Sequence, residues 1–173
     1  MKIYLSPSSQ TNNIGIGNYG TEAKQMRIIA GFLETRLKQA GHKVYLAESS
    51  MTLTQRVSES NKLKVDIHIA IHSNASENHK ARGAMYITKV KDSQSKHLSE
   101  HVYKRMSEIT PTNDLGDFSN NTYYEPKSVH AIMCLIEVAF HDNFEDATWI
   151  ATHRQLIATA ISQGIEDYLL EQK

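Results

Sequence analysis

The chain has 173 residues, of which 40% are apolar and 22% charged, a composition typical of one globular domain with its own core. Lysine plus arginine equals aspartate plus glutamate at 19 each, so no net charge attracts nucleic acid or a membrane surface. The single cysteine, Cys134, lies in an apolar run, which predicts a buried thiol and excludes both an internal disulfide framework and a multi-cysteine zinc site. We therefore expect one domain over residues 1–173. We also expect a monomer, although the sequence carries no signal of oligomeric state.

The N-terminal sequence M-K-I-Y-L-S-P is too short an apolar run for a secretory signal and instead predicts a first strand. No stretch reaches the roughly 18 apolar residues of a membrane helix. We therefore expect no signal peptide and no association with a membrane.

Strand and helix patterns alternate along the chain. Apolar runs with period two, or without interruption, predict strands at residues 2–5, 43–47, 65–72, 84–88 and 131–140. Helical spacing of apolar residues predicts helices at residues 22–40, 54–63, 93–109 and 146–170. Residues 110–128 lack any period and are predicted to be irregular. The alternation predicts an α/β fold, a three-layer twisted and mostly parallel sheet with helices on both faces.

A glycine-bearing polar loop at residues 10–21 separates the first strand from the first helix. Loops of this length in a compact domain are more often functional than idle. Thr21 is predicted to cap the helix and Glu22 to stand in its first turn, at the mouth of the loop. A carboxylate there either serves a site or simply complements the helix dipole.

His72 follows the alternating strand at residues 65–72, and the turn-forming residues S-N-A come after it. Chemistry in open α/β sheets is usually found at the carboxyl ends of strands. A histidine at such a position is also commonly satisfied by local hydrogen bonds, so His72 alone does not indicate a site.

Glu137 interrupts the most apolar run of the chain, residues 131–140. An unpaired carboxylate in a buried strand costs several kcal/mol, so it requires a metal, a cation or a raised pKa. His141 follows this strand as His72 follows the earlier one.

His97 and His101 share one face of the predicted helix at residues 93–109, with the i, i+4 spacing that can bind a metal. Because the sequence indicates no companion ligand, we interpret the pair as part of a solvated face.

Imidazoles and carboxylates at strand ends, without a thiolate, are ligands that suit Zn²⁺. A catalytic zinc keeps three protein ligands and lowers the pKa of a bound water to roughly 7, while a neighbouring glutamate takes the proton from that water. The candidate residues are Glu22, His72, His141 and Glu137, with Gln10 in the adjacent loop. Glu137 fits the proton-transfer role because burial raises the pKa of a carboxyl group.

These residues lie in motifs that resemble a family, the zinc-dependent N-acetylmuramoyl-L-alanine amidases of type 3, which are cell-wall lytic enzymes. The motifs are Q-R-V-S-E-S-N at residues 55–61, D-I-H-I-A-I-H-S-N-A at 66–75 and C-L-I-E-V-A-F-H-D-N at 134–143. They are similar to an Arg with Asn five residues later, then S-I-H-x-N-A, then L-V-E-x-G-F-x-x-N. The resemblance implies that Glu22 and His72 are zinc ligands and that Glu137 is the catalytic acid and base. It also implies cleavage of the amide bond between the lactyl group of muramic acid and L-alanine of the stem peptide. The even charge balance separately predicts no nucleic-acid partner.

The first strand departs from the family pattern. The family has G-H-G-G there, with a zinc-binding histidine, and this chain has S-P-S-S-Q. We expect His141 to supply the third ligand, with Gln10 as its rival, and weak or absent metal binding is a further possibility. Asn74 and Asn143 are expected to contact substrate.

Two other functions remain open at this point. The missing histidine is also compatible with a degenerate amidase fold that binds peptidoglycan without cleaving it. A zinc carboxypeptidase would need a cation for the terminal carboxylate, and Arg56 is the candidate, although on the family pattern it is structural. Without a signal peptide, the protein is expected to reach the cell wall through a phage pore, by mother-cell lysis or as part of a longer secreted chain.

Overall fold

A six-stranded sheet forms the centre of the computed structural model, which describes residues 1–112, 115–120 and 122–172. The strands are β1 Lys2–Pro7, β2 Lys43–Leu46, β3 Ile67–Asn74, β4 Met85–Ile87, β5 Gly116–Asp117 and β6 Ile132–Phe140. Their order across the sheet is β2-β1-β3-β6-β4-β5. Strand β4 is antiparallel to β6, and the other neighbouring pairs are parallel. The predicted mostly parallel sheet is confirmed.

Helices cover both faces of the sheet, as predicted. They are α1 Glu22–Gln39, α2 Leu53–Leu63, α3 Ser93–Ser107, α4 Tyr124–Ser128, α5 Phe144–Thr152 and α6 Arg154–Glu171. The larger part of the core joins one sheet face to α1, α3 and α6, through residues such as Leu33, Val102 and Ile161. A smaller cluster on the other face, including Val57 and Val129, lies beneath α2 and α4. None of the described helices is both long and apolar enough to cross a membrane.

The last helix differs from its prediction. Instead of one helix at residues 146–170, α5 ends at Thr152 and α6 begins at Arg154. His153 between them has non-helical backbone angles, and its ring Nδ1 lies 3.0 Å from the Trp149 carbonyl oxygen and 2.9 Å from Thr152 Oγ1. The His153 amide still donates to the Trp149 carbonyl oxygen at 2.9 Å, so the ring and the amide share one acceptor where the backbone angles depart from the helix.

The segment predicted to be irregular, residues 110–128, contains the short strand β5 and the one-turn helix α4. Residues 113, 114 and 121 of this segment lie outside the described part of the chain. Cys134 is buried and unpaired, as predicted.

Candidate active site

The carboxyl ends of β1 and β3 form the place where the strand order reverses. From β1 the chain proceeds to β2 on one side, and the next strand, β3, lies on the other side of β1. Ligands of open α/β sheets bind in the crevice beyond such a point. The loop after β1 and the end of β3 bring Glu22 and His72 together there.

The polar loop at residues 10–21 is folded against the exits of β3 and β6. The Ile16 amide donates to the His141 carbonyl oxygen at 2.9 Å, and the Tyr19 hydroxyl lies 2.6 Å from Ser73 Oγ. Gly15 permits this fold, because a Cβ there would lie 2.8 Å from the His141 carbonyl oxygen and closer still to the Tyr19 ring. The loop therefore holds the start of α1 over the end of the sheet.

Buried Glu22 and partly buried His72 form a pair. His72 Nδ1 lies 2.9 Å from Glu22 Oε1, which also accepts from the Ser73 amide at 3.3 Å, while Asn13 Nδ2 donates to Glu22 Oε2 at 2.7 Å. The Thr21 side chain caps α1, as predicted, and leaves Glu22 in the first turn. Burial opposes the charged carboxylate, but the hydrogen bond from His72, the charge of His72 and the Asn13 contact hold the pKa of Glu22 below its ordinary value.

The same contact acts in the opposite direction on the histidine. Burial disfavours the imidazolium, but the hydrogen bond to Glu22 and the negative charges of Glu137 and Glu22 raise the pKa of His72 to about 9. A cation, whether a proton or a metal ion, is therefore favoured between these two side chains.

Glu137 stands beside His72 in the neighbouring strand. The two residues are paired in the parallel register of β3 and β6, so their side chains point to the same sheet face. Glu137 Oε2 is buried and has no hydrogen-bond partner in the described part of the chain. Burial raises the pKa of Glu137 to about 7, a shift that His72 reduces and Glu22 increases. A buried carboxylate oxygen without a partner indicates that a ligand, a water molecule or a cation completes this site.

The pair is suited to Zn²⁺ in donor type and in spacing. Two ligands of a tetrahedral zinc with bonds of about 2.0–2.1 Å lie about 3.3 Å apart, close to the observed 2.9 Å. Across residues 1–112, 115–120 and 122–172, no third His, Cys, Asp or Glu places a ligand atom within 4.8 Å of both. Two of the three expected ligands are therefore assembled.

His141, the expected third ligand, lies apart from this pair. Its Nδ1 is 3.0 Å from Ser73 Oγ and 2.9 Å from the Ser73 carbonyl oxygen, and its ring stacks on Tyr19. The Ser73 side chain points to the sheet face opposite to that of its neighbour His72. The expected set of Glu22, His72 and His141 is thus not assembled in this structure.

Gln10, the rival, lies in the loop beside this pair. Its Oε1 accepts from Asn13 Nδ2 at 2.9 Å, and the same Asn13 nitrogen donates to Glu22. One donor, Asn13 Nδ2, therefore bridges the Gln10 amide oxygen and the Glu22 carboxylate.

Comparisons with known proteins show the family of the chain. The family model described as N-acetylmuramoyl-L-alanine amidase (Amidase_3) matches residues 3–167. The chain belongs to this amidase family. It is 26% identical to the N-acetylmuramoyl-L-alanine amidase LytC of Bacillus subtilis (strain 168), over 96% of this chain and 35% of that protein. It therefore spans about a third of the length of this curated relative.

Solved structures share the fold. The N-acetylmuramoyl-L-alanine amidase AmiC2 of Nostoc punctiforme superimposes with a TM-score of 0.88 at 19% identity, covering 98% of this chain and 97% of that one. The catalytic domain of CwlV, an amidase from Bacillus (Paenibacillus) polymyxa var. colistinus, gives a TM-score of 0.86 at 22% identity, covering 98% of both chains. The α/β architecture is thus the fold of the amidase family.

The two asparagines that were expected to contact substrate differ in their hydrogen bonds. Asn74 lies two residues after His72 on the same strand, and its Nδ2 donates to Met85 Sδ at 3.1 Å. Asn143 instead caps α5, since its Oδ1 accepts from the amides of Glu145 and Asp146 at 3.1 and 3.3 Å. A substrate contact therefore remains open for Asn74, whereas Asn143 has a structural role.

Replacing Asn143 by alanine is expected to lower the free energy of unfolding by about 1 kcal/mol, the usual cost of losing an N-cap. Chemical denaturation of Asn143→Ala and of the wild type measures this difference. Thr148→Ala, on the exposed side of the same helix, is the control. A fall in wall hydrolysis without a change in stability would instead support a substrate contact.

A second buried pair lies deeper on the sheet face that carries His72. His68 Nε2 lies 2.9 Å from Glu125 Oε1, and His68 Nδ1 lies 2.9 Å from Ser60 Oγ, while the ring stacks on Tyr4. Burial acts to raise the pKa of Glu125, but the hydrogen bond and the charge of His68 hold it below its ordinary value. The pair connects α2, β3 and α4 beneath the site. The sequence does not indicate this pair, because Glu125 lies in a segment without periodicity.

Replacing Glu125 by alanine is expected to cost about 3 kcal/mol of stability, because it leaves a buried imidazole without its partner. A group with a lowered pKa contributes stability above its unfolded pKa and loses it as the pH falls. The difference in the free energy of unfolding between wild type and Glu125→Ala should therefore have its full size at neutral pH. It should shrink as the pH falls below about 4.5, the ordinary pKa of a glutamate side chain. Denaturation at a series of pH values measures it, with exposed Glu77→Ala as the control. An equal loss in both variants would contradict the assignment.

Arg56 is structural, in agreement with its interpretation from the sequence. Its guanidinium donates to three backbone carbonyl oxygens, those of Met51, Pro7 and Glu48, and only 2% of the residue is exposed. Its hydrogen bonds therefore join α2 to the ends of β1 and β2. Arg56 does not form the anion site that a carboxypeptidase would need.

Proposed function

We propose that this chain is a peptidoglycan hydrolase that cleaves the amide bond between the lactyl group of N-acetylmuramic acid and L-alanine of the stem peptide. The observation that carries the proposal is the constellation of Glu22, His72 and Glu137 at the strand ends of a chain that belongs to the amidase family over residues 3–167. The partners are the stem peptide and the muramic acid of the wall. Residues 1–173 act as one catalytic domain and as a monomer.

The cofactor of the proposal is Zn²⁺, held by Glu22 and His72. Their donor types and their 2.9 Å separation support it. Gln10 is the proposed third ligand, because its amide oxygen already shares the Asn13 donor with Glu22. When bound, the metal would polarise the amide carbonyl and make water more acidic.

Glu137 carries the proton in this reaction. Its carboxylate accepts a proton from the water that attacks the lactyl carbonyl carbon, and the carboxyl group then donates it to the alanine nitrogen as the carbon–nitrogen bond breaks. A pKa near 7 suits both halves of this transfer, since the group must accept and return the proton at a similar pH. The unpartnered Oε2 provides the accepting atom.

Asn74 is proposed to orient the substrate. It lies on the same sheet face as His72 and Glu137, beyond His72 along β3, and among the described residues its amide nitrogen has the weak sulfur acceptor of Met85 alone. The amide group is therefore available to a carbonyl oxygen of the stem peptide.

Digestion of purified peptidoglycan tests the proposal. We expect new L-alanine amino termini to appear with loss of turbidity, no new reducing sugar ends, and loss of activity on treatment with a zinc chelator. New termini at another peptide bond would indicate a peptidase. Binding to the wall without release of termini would indicate a degenerate binding module and contradict the proposal.

The route to the cell wall is a separate part of the proposal. Three routes are compatible with a domain that spans 35% of its curated relative. They are release through a phage pore, mother-cell lysis and export within a longer chain. Immunolocalisation of the intact protein during lysis or sporulation of the source cell distinguishes these routes.

A further inference from the structure

A group of three metal-binding side chains lies outside the site described above. His97 and His101 on α3 and Glu171 at the end of α6 form the α3–α6 histidine cluster, and their ligand atoms all lie within 4.8 Å of one another. In the described part of the chain, no other set of three or more His, Cys, Asp or Glu residues meets this condition. Glu171 is the companion ligand that the sequence did not indicate for the histidine pair.

Both histidine rings of the cluster contact the same carboxylate oxygen. His97 Nε2 and His101 Nε2 lie 3.0 and 3.2 Å from the same atom, Glu171 Oε2. The two rings are perpendicular, with centroids 4.7 Å apart. Ligands of a tetrahedral zinc are spaced by about 3.3 Å, so the two nitrogen–oxygen distances are already close to those that a bound ion imposes.

The two helices that carry the ligands are held rigidly together. Gly164 of α6 lies so close to α3 that a Cβ there would be 2.5 Å from Val102 Cα. One turn before Glu171, Asp167 pairs with Arg105 of α3 at 2.6 Å. The Tyr168 ring packs against both histidines. Only the carboxylate of Glu171, which is 56% exposed, needs to adjust when an ion binds.

We propose that the α3–α6 histidine cluster binds one Zn²⁺ ion through His97 Nε2, His101 Nε2 and Glu171, with a fourth position open to solvent. Two imidazoles and one carboxylate are a donor set that zinc accepts in three-ligand sites. The ion joins α3 to the last turn of α6 and stabilises the folded chain by binding to it. This role is independent of the proposed hydrolysis, because α3 and α6 cover the sheet face opposite to that of His72 and Glu137.

Equilibrium dialysis of tag-free protein against a series of free Zn²⁺ concentrations tests the proposal. We expect the wild type to bind one more equivalent of zinc than the double variant His97→Gln/His101→Gln. We also expect Zn²⁺ to raise the thermal unfolding temperature of the wild type more than that of the variant. Glu171→Gln removes a direct ligand and is expected to weaken this equivalent by more than the roughly 10–100-fold that loss of an outer partner costs.

The chain supplies a matched control. His42 Nε2 pairs with Glu166 Oε1 of α6 at 2.7 Å, without a second histidine. His42→Gln therefore removes a similar pair but should leave the number of bound zinc ions unchanged. Equal zinc binding by the wild type and the double variant would overturn the proposal and leave the cluster as an ion pair. Wall hydrolysis should persist in the double variant, so failure here is distinguishable from failure of the amidase function.

Discussion

Replacing Glu137 by glutamine is expected to lower the rate of peptidoglycan hydrolysis by about a thousandfold, within the range of losing a general acid and base. The amide has nearly the size of the carboxyl group but cannot accept a proton from water and return it to the leaving nitrogen. Release of L-alanine amino termini from purified wall measures the rate.

The stability of Glu137→Gln distinguishes a chemical role from a structural one. Because Glu137 Oε2 is buried without a partner, a neutral amide should cost no stability and should leave zinc binding intact. Glu100→Gln, on the exposed face of α3, is the matched control and should behave as wild type. Nearly full activity in Glu137→Gln would remove this residue from the mechanism.

Replacing His72 by glutamine is expected to abolish hydrolysis together with zinc binding at the strand ends. Loss of a direct ligand should weaken zinc binding by more than the roughly 10–100-fold that loss of an outer partner costs. Glutamine can still donate a hydrogen bond to Glu22 Oε1, so the buried carboxylate keeps a partner and the fold is preserved. Zinc content after dialysis, measured beside the hydrolysis rate, tests this expectation.

His130→Gln is the control for this experiment, because His130 is exposed and lies at the opposite end of β6. It should keep both zinc and activity. If His72→Gln kept its zinc equivalent at the strand ends while losing activity, His72 would act on the substrate rather than on a metal.

The parts of the site that could be predicted are those set by local patterns. Thr21 before a helical pattern fixes Glu22 in the first turn of α1, and the alternation of β3 places His72 at its exit. The apolar run around Glu137 predicts a strand buried on both faces. A carboxylate in such a strand requires a cation, a metal or a raised pKa, which marks Glu137 as a candidate functional residue. Each of these conclusions needs only a few neighbouring residues.

The expectation for His141 failed because of one irregularity in pairing. Period-two alternation places His141 on the same face as Glu137, four residues earlier. In the structure His72 pairs with Glu137 but Asn74 pairs with Phe140, so β6 has an extra residue between these pairs. An extra residue reverses the alternation beyond it, and His141 turns toward Ser73.

Local sequence patterns could not predict the contacts between distant segments. Asn13 reaches Glu22 only because the loop at residues 10–21 is anchored to the exit of β6. Glu171 reaches His97 and His101 only because Gly164 allows α6 to approach α3 closely. An asparagine in a polar loop or a glutamate near the end of a helix has no local signal for such a role.

Anomalous diffraction at the zinc edge from crystals grown with Zn²⁺ tests the central claim most directly, namely that Glu22 and His72 hold a metal ion beside Glu137. The account predicts a peak within about 2.0–2.2 Å of a Glu22 oxygen and a His72 nitrogen, separate from any peak at the α3–α6 histidine cluster. A fully occupied peak at the cluster with none between Glu22 and His72 would contradict it.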